Sequence, residues 1–181
     1  MSKPLFAYAA LKLVEDGRLD LDRPLVGYLD KPYLPDQPQH RRITARIVLS
    51  HTSGFPNWRK GGWRSGNALV MKSEPGGKFG YSGEGFLFLQ RVVEKITGEP
   101  LDQFMSRRLL RHLGMRASSY QWEPKNSPLI AAGHDRDGKV KTASRRYDAP
   151  NAAYSLFTTP TEYARFLIEM MRDDRSAEHS L

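Results

Sequence analysis

The 181-residue sequence contains no cysteine, so the chain can form no disulfide bond and offers no thiolate ligand to a metal. It also has no apolar run long enough to span a bilayer. The N-terminal residues do not resemble a signal peptide, because Lys12 and Glu15 interrupt the apolar stretch and no small-residue cleavage site follows. These absences leave the cellular compartment open.

Several motifs that would indicate a metal or a cofactor are missing too. The five histidines show neither HxH nor HExxH spacing, so we expect lone surface or capping histidines and no metal site. A dinucleotide-binding loop is absent, since Gly83-x-Gly85 has no third glycine and follows no strand. The segment GYSGEG has only a superficial likeness to a G-x-S-x-G elbow, because Glu84 replaces the last glycine. The sequence therefore predicts no cofactor.

Acidic residues are fewer than basic ones, and the formal net charge is +8. Such a charge favours acidic partners, but the basic residues are dispersed along the chain, as on an ordinary basic surface. The segment NWRKGGWRSG interleaves Trp58 and Trp63 with basic residues, a pattern that could stack nucleic-acid bases. No recognised nucleic-acid motif accompanies it, so base stacking is kept only as the weaker alternative and no nucleic acid is expected.

The most informative pattern lies between Pro75 and Gly98. A glycine-rich turn precedes a helix that ends at Gly98, before Pro100. Tyr81 and Ser82 lie in the turn, where Ser82 is either a simple helix cap or part of a rigid turn that holds a functional side chain. Helical spacing divides the following residues into an apolar face (Phe86, Leu89, Val93, Ile96) and a largely polar face (Gln90, Arg91, Glu94, Lys95).

Elsewhere the patterns predict a mainly helical α+β chain that forms one partial domain over residues 1–181. Residues 1–116 are mostly helical, residues 117–158 contain short strands and loops, and residues 159–172 form an amphipathic helix. A first helix has Pro4 at its first helical position and a stripe of Phe6, Ala9, Ala10 and Leu13. Thr44 can cap a short helix, Leu101–His112 is predicted as one helix, and Asp137-Gly138 predicts a turn. The last helix starts with a capping box from Thr159 to Glu162, and its apolar face consists of Tyr163, Phe166, Leu167 and Met170.

Four segments, in order, resemble the β-lactamase-related serine hydrolases, which include class C β-lactamases, penicillin-binding DD-peptidases and esterases. They cover nearly the whole chain: SKPLFAYAALKLVEDGRLDLDRPL; ITARIVLSHTSGFP; PGGKFGYSGEGFLFLQRVVEKITGEPL with LLRHLGM; and NAAYSLFTTPTEYARFL. The resemblance implies a β-lactamase/transpeptidase-like fold, here without its first and last sheet strands. It also implies hydrolysis of a small ester, lactam or peptide through an acyl-enzyme.

In this family the nucleophile is the serine of an S-x-x-K motif, and a Y-x-N tyrosine beside the lysine shares the work of a general base. The resemblance assigns the lysine to Lys3 and the tyrosine to Tyr81, and it implies that burial and cationic neighbours keep the Lys3 amine deprotonated, so that it can act as a base near neutral pH. We expect the two side chains to converge on one pocket. Gly83 stands at the Asn position, where the family binds substrate amides, and is the candidate substrate-binding residue.

Three departures from the family pattern shape the functional expectation. The S-x-x-K serine would lie immediately before Met1, and no serine in the sequence has a lysine three positions later. Gly83 replaces an asparagine, and no K-T-G or H-x-G motif follows, since Lys141-Thr142-Ala143 comes too early. We therefore expect a truncated, inactive chain of an esterase-like hydrolase. The alternative is a non-catalytic binding or structural module. Because the strand-like segments of residues 117–158 lack partners and leave sheet edges or apolar faces exposed, we expect a marginally stable or self-associating protein, with the oligomeric state left open.

Overall fold

The structure is a computed structural model that describes residues 1–34, 36–124, 128, 130–141 and 149–172. Helices dominate the described residues, which confirms the mainly helical prediction. We label them α1 (Ser2–Glu15), α2 (Ala45–Leu49), α3 (Gly83–Thr97), α4 (Leu101–Met105) and α5 (Pro160–Met171). Two 3₁₀ turns lie at Leu25–Tyr28 and Pro38–Arg42, and a π-helical segment, Ser106–Leu110, follows α4 directly.

Helix α3 runs through the centre of the fold. Its N-cap is Ser82, whose Oγ accepts a hydrogen bond of 2.9 Å from the Gly85 amide, and its C-cap is Gly98 at φ 72°. Both ends agree with the sequence prediction. The polar face differs from it, because Gln90 is buried and its side chain accepts a hydrogen bond from the Ala152 amide at 2.9 Å.

Helix α1 buries the predicted stripe completely, and its Phe6 ring lies 6.1 Å from the Phe86 ring of α3. The helix begins at Ser2, so Pro4 occupies the third helical position and not the first. Proline is tolerated there because the first amides of a helix have no intrahelical acceptor to bond. The Phe6–Phe86 contact fixes the first turn of α1 against the start of α3.

The remaining helices start where the sequence predicts, but their helix type or their side-chain hydrogen bonds differ from the prediction. Thr44 caps α2 and Thr159 caps α5, each through its hydroxyl oxygen. The carboxylate of Glu162 does not complete a capping box, because it accepts hydrogen bonds from the Ala117 amide and the Ser118 hydroxyl. The helix predicted over Leu101–His112 changes from α to π geometry at Ser106.

The region predicted as short strands contains only isolated bridges in its described part. Ser119 pairs with Phe157, and His134 pairs with Val140 around the predicted turn. Side-chain hydrogen bonds, in place of a strand ladder, connect Tyr120 to the rest of the fold. Its hydroxyl donates a hydrogen bond of 2.6 Å to the Ser2 carbonyl. Residues 142–148, which include part of Lys141-Thr142-Ala143, lie outside the described residues.

One face of α5 is exposed although its residues are apolar. Phe166 is buried, but Leu167 and Met170, which the pattern placed on the same inward face, are about half exposed, at 47% and 50%. Ile168 and Met171 extend this exposed apolar face. Among the described residues, no helix is both long and apolar enough to cross a membrane.

Candidate active site

Lys3 and Tyr81 meet directly, although 78 residues separate them in the sequence. The Lys3 Nζ donates a hydrogen bond of 2.7 Å to the Tyr81 hydroxyl and lies 4.4 Å from the centre of the tyrosine ring. The Phe86 ring lies 5.5 Å from the same nitrogen. Tyr81 is 53% exposed, so its hydroxyl is open to an incoming molecule. The convergence expected from the sequence is present, with an amine and a phenol in position to exchange a proton.

A backbone turn gives Lys3 its second partner. The Lys3 Nζ donates to the Ala153 carbonyl at 2.9 Å. The turn is held from inside, since the Ala153 amide donates to Asn151 Oδ1 at 2.9 Å and the Asn151 amide donates to Ser155 Oγ at 2.8 Å. Gln90 of α3 holds Ala152, as described above. The carbonyl therefore has a fixed position and orients the amine toward the tyrosine hydroxyl.

His51 forms the other side of the tyrosine. Its ring centre lies 4.5 Å from that of Tyr81 and 5.2 Å from that of Phe86, and its Nδ1 accepts a hydrogen bond from the Ser82 amide at 3.1 Å. Burial lowers the pKa of His51, and the charge of Lys3 lowers the pKa further. Because Nδ1 accepts the Ser82 amide, the neutral form of the ring carries its proton on Nε2.

The turn that begins at His51 is joined to the turn that carries Tyr81. The Gly80 amide donates to the His51 carbonyl at 2.8 Å, and the Gly76 amide donates to the Thr52 carbonyl at 2.8 Å. His51 itself adopts φ 57°, which is uncommon for a residue other than glycine. These bonds fix Tyr81 between a histidine ring and the start of α3.

Gly83 lies on the same segment but contributes no side chain. A Cβ atom at position 83 would lie 2.4 Å from both Cζ2 and Cη2 of Trp58. The Trp58 ring therefore occupies the space in which an asparagine side chain would begin. The Trp63 indole nitrogen donates to the Tyr154 hydroxyl, so both tryptophans of the basic segment are engaged in packing within the protein.

Ser2 is the serine nearest to Lys3 in sequence, and it is buried at 3% exposure. Its Oγ accepts a hydrogen bond of 3.0 Å from the Leu156 amide, and its carbonyl accepts one from Tyr120. The hydroxyl serves to anchor the first turn of α1. The described residues also contain no group of three or more histidine, cysteine or acidic side chains that could hold a metal ion.

The sequence patterns did not assign His51, Ala153 or Trp58 to this site, and they indicated Trp58 only as part of a possible base-stacking segment. His51 was interpreted as a lone surface or capping histidine, whereas it lies against Tyr81 and within the influence of Lys3. The signal that could have identified it is its place in LSHTSG, one of the segments that carry the family resemblance. Ala153 acts through its carbonyl, which no side-chain pattern can reveal.

Comparison with known proteins gives consistent results. A family model for β-lactamase matches residues 1–180. Lovastatin esterase from Penicillium rubens is 31% identical, and the match covers 96% of this chain and 54% of that protein. The crystal structure of D-amino acid amidase from Ochrobactrum anthropi, complexed with L-phenylalanine, is 25% identical with a TM-score of 0.73 and is matched over 92% of this chain and 52% of that one.

A second solved structure, the β-lactamase/D-alanine carboxypeptidase from Yersinia pestis, has a TM-score of 0.75 at 21% identity, over 97% of this chain and 53% of that one. This likeness confirms the β-lactamase/transpeptidase-like fold. The chain spans about 35–54% of the length of the first curated relatives that it matches. With a family model that matches residues 1–180, the chain belongs to the β-lactamase family of serine hydrolases.

Proposed function

We propose that this chain carries the general-base half of a serine hydrolase that cleaves esters or amides through an acyl-enzyme. The observation that carries the proposal is the 2.7 Å hydrogen bond between the Lys3 Nζ and the Tyr81 hydroxyl. Both atoms belong to groups that can accept and return a proton, and the exposed phenol can reach a bound substrate. The Ala153 carbonyl supports the arrangement by orienting the amine.

The reaction proceeds in two transfers. The oxygen of a serine three residues before Lys3 forms a bond to the acyl carbon, and the bond from that carbon to the leaving alcohol or amine breaks. The serine proton passes to the Lys3–Tyr81 pair and then to the leaving group. A water oxygen then forms a bond to the acyl carbon and gives its proton to the same pair. The bond from that carbon to the serine oxygen breaks, the pair returns the proton to the serine, and the carboxylic acid leaves.

The 181-residue chain should itself be inactive, because none of its serines has a lysine three positions later. Ser2 cannot substitute, since it is buried and its oxygen bonds the Leu156 amide. Loss of a nucleophilic serine typically lowers kcat by a factor on the order of 10⁶. The alternative is a non-catalytic binding or structural module with the same fold.

Esters are the proposed substrates, in preference to β-lactams. In the family, the asparagine of Y-x-N helps hold the amide side chain of lactam and peptide substrates, and Gly83 cannot supply that carboxamide. One hydrogen bond contributes about 0.5–1.5 kcal/mol net, and more is lost when a buried polar group stays unsatisfied. The 31% identity to a lovastatin esterase supports the same preference.

The test adds one serine directly before Met1 and compares hydrolysis of p-nitrophenyl acetate and nitrocefin with that of the 181-residue chain. We expect background rates without the added serine. With it, we expect a burst of p-nitrophenol from the ester that is larger than the amount of nitrocefin ring opened in the same interval. Tyr81→Phe or Lys3→Ala should then lower the rate by about 10²–10⁴. A folded serine-bearing chain whose rate is unaffected by either substitution would contradict the assigned roles.

A further inference from the structure

The Trp58 ring lies against Gly83, two residues after Tyr81, because glycine leaves room for it. The Trp58 ring approaches the Gly83 Cα so closely that no side chain could begin there. The indole of Trp58 takes the space of a side chain at position 83, and it presents an aromatic surface in place of a polar group. Trp58 as a residue is half-buried, so part of its side chain is available to a ligand as well as to the protein.

Trp58 is held from both sides by the residues that follow Tyr81. The Asn57 side-chain oxygen accepts a hydrogen bond from the Gly83 amide at 3.0 Å, and the Asn57 carbonyl accepts from the Glu84 amide at 3.1 Å. On the other side, Arg59 makes two side-chain hydrogen bonds to the buried Glu84 carboxylate, at 2.9 and 2.7 Å. The indole is therefore preorganised, since the backbone on each side of it is fixed to α3.

The same ring contacts the second segment that holds Lys3. The Trp58 and Tyr154 rings lie 5.3 Å apart in an edge-to-face arrangement. Tyr154 directly follows Ala153, whose carbonyl accepts the Lys3 amine. The aromatic pair thus links the Tyr81–Gly83 segment to the Ala153–Tyr154 segment, and both segments contact the Lys3 amine. The aromatic pair therefore adjoins both segments that hold the Lys3 amine, at Gly83 on one side and at Tyr154 on the other.

We infer that Trp58 is a specificity-determining residue that selects esters with an apolar acyl group. The inference rests on the proposed hydrolase function and goes beyond it by naming the acyl group and the residue that selects it. An indole face gains from contact with an aryl or alkyl chain, and offers no carboxamide to satisfy an acyl-amino group. Gly83 is the complementary partner, because any side chain at position 83 would displace the indole.

The experiment measures binding and not turnover, so it uses the 181-residue chain as it exists. Two methyl esters serve as probes in calorimetric titrations: methyl 3-phenylpropanoate, with an apolar acyl group, and methyl N-acetylglycinate, whose acyl group carries an amide. We expect the first to bind about tenfold more tightly. Trp58→Ala should remove most of this ratio, and Trp58→Phe should retain most of it.

A double variant, Trp58→Ala with Gly83→Asn, provides the decisive comparison, because it restores a carboxamide and the space it needs. The ratio between the probes should fall to about one or invert. The inference is overturned if neither probe binds, if both bind equally to the unaltered chain, or if Trp58→Ala weakens both equally while the melting temperature is unchanged. Since hydrolysis is not measured, failure of the proposed function appears separately, as a serine-bearing chain that does not turn over ester.

Discussion

At the scale of single residues, Gly83 shows how a local preference can be reversed by one distant neighbour. Gly83 is the first residue of α3, where alanine would ordinarily favour the helix by up to about 1 kcal/mol. The Trp58 ring makes alanine destabilising at this position, because an added Cβ would lie 2.4 Å from two of the ring carbons. Space, and not backbone freedom, is what requires glycine here.

We therefore predict that Gly83→Ala destabilises the protein by about 1–3 kcal/mol through overpacking. The melting temperature should fall by roughly 2–4 °C for each kcal/mol. In a Trp58→Ala background, Gly83→Ala should cost much less than in the unaltered chain, because the ring that an added Cβ would meet is gone. Gly80→Ala is the matched control, since its Cβ would meet nothing within 4 Å. Equal losses at positions 80 and 83 would show that the indole contact does not determine the effect.

His51 provides a second prediction at this scale, concerning pH. Its pKa is lower in the folded protein than in the unfolded chain, so below about pH 6.5 the unfolded state binds more protons and stability falls. Protonation also removes the Nδ1 acceptor that the Ser82 amide uses. The loss should grow from about pH 6.5 down to the folded-state pKa and then level off.

His51→Asn should reduce this pH dependence while preserving the fold. Asparagine keeps an acceptor for the Ser82 amide and tolerates the φ of 57° better than most residues. Urea unfolding at about pH 7.5 and about pH 5 compares the two chains. If the difference in unfolding free energy between the two pH values is the same with and without His51, this histidine is not its source.

At the scale of elements, the start of α3 depends on one buried ion pair. Glu84 has no exposed side-chain surface, and its carboxylate accepts hydrogen bonds from the Arg59 guanidinium and the Arg59 amide. Removing one partner of such a pair leaves an uncompensated charge. Because Arg59 also fixes the loop that carries Trp58, the pair connects the stability of α3 to the shape of the candidate site.

We predict that Glu84→Gln lowers the unfolding free energy by about 3–5 kcal/mol. Asp22→Asn provides a surface comparison, because the Asp22–Arg46 pair is solvated on both sides and should contribute far less. Chemical denaturation of the three chains, with similar m-values, is the measurement. A loss for Glu84→Gln no larger than that for Asp22→Asn would mean that the buried pair is not holding α3.

The elements also show what the sequence could and could not predict. Periodicity and capping residues predicted α1, α3 and the start of α5, because these signals act within a few residues of each other. The Trp58–Gly83 contact and the Ala153 carbonyl were missed, since both join residues far apart in the chain. The family resemblance supplied Lys3 and Tyr81 together, which spacing within one helix could not have done.

At the scale of the whole molecule, the exposed apolar face of α5 is the main liability of this chain. The sequence predicts marginal stability or self-association through exposed sheet edges or apolar faces of residues 117–158, but the described part of that region forms only isolated bridges. The exposed face consists of Leu167, Ile168, Met170 and Met171. Adjacent exposed apolar side chains of this kind promote association between molecules.

We predict that the 181-residue chain associates in a concentration-dependent manner, and that Leu167→Lys with Met171→Lys reduces the association. Both positions are exposed, so the substitutions should leave the melting temperature nearly unchanged. Val140→Lys removes a single exposed apolar residue outside α5 and serves as the control. Sedimentation velocity over a range of concentrations decides the matter, and a monomer at all concentrations in the unaltered chain would refute the prediction.

The hydrogen bond from Lys3 to Ala153 spans 150 residues, and this separation matters during synthesis on the ribosome. Lys3 is translated 150 residues before Ala153, whose carbonyl is its hydrogen-bond partner. At about 5–20 residues per second, the amine waits roughly 8–30 s before that partner exists. A nascent chain that stalls after Tyr81 but before Ala153 has both side chains, but it lacks the carbonyl that orients the Lys3 amine. Assembly of this site therefore requires that at least 150 residues have been translated after Lys3.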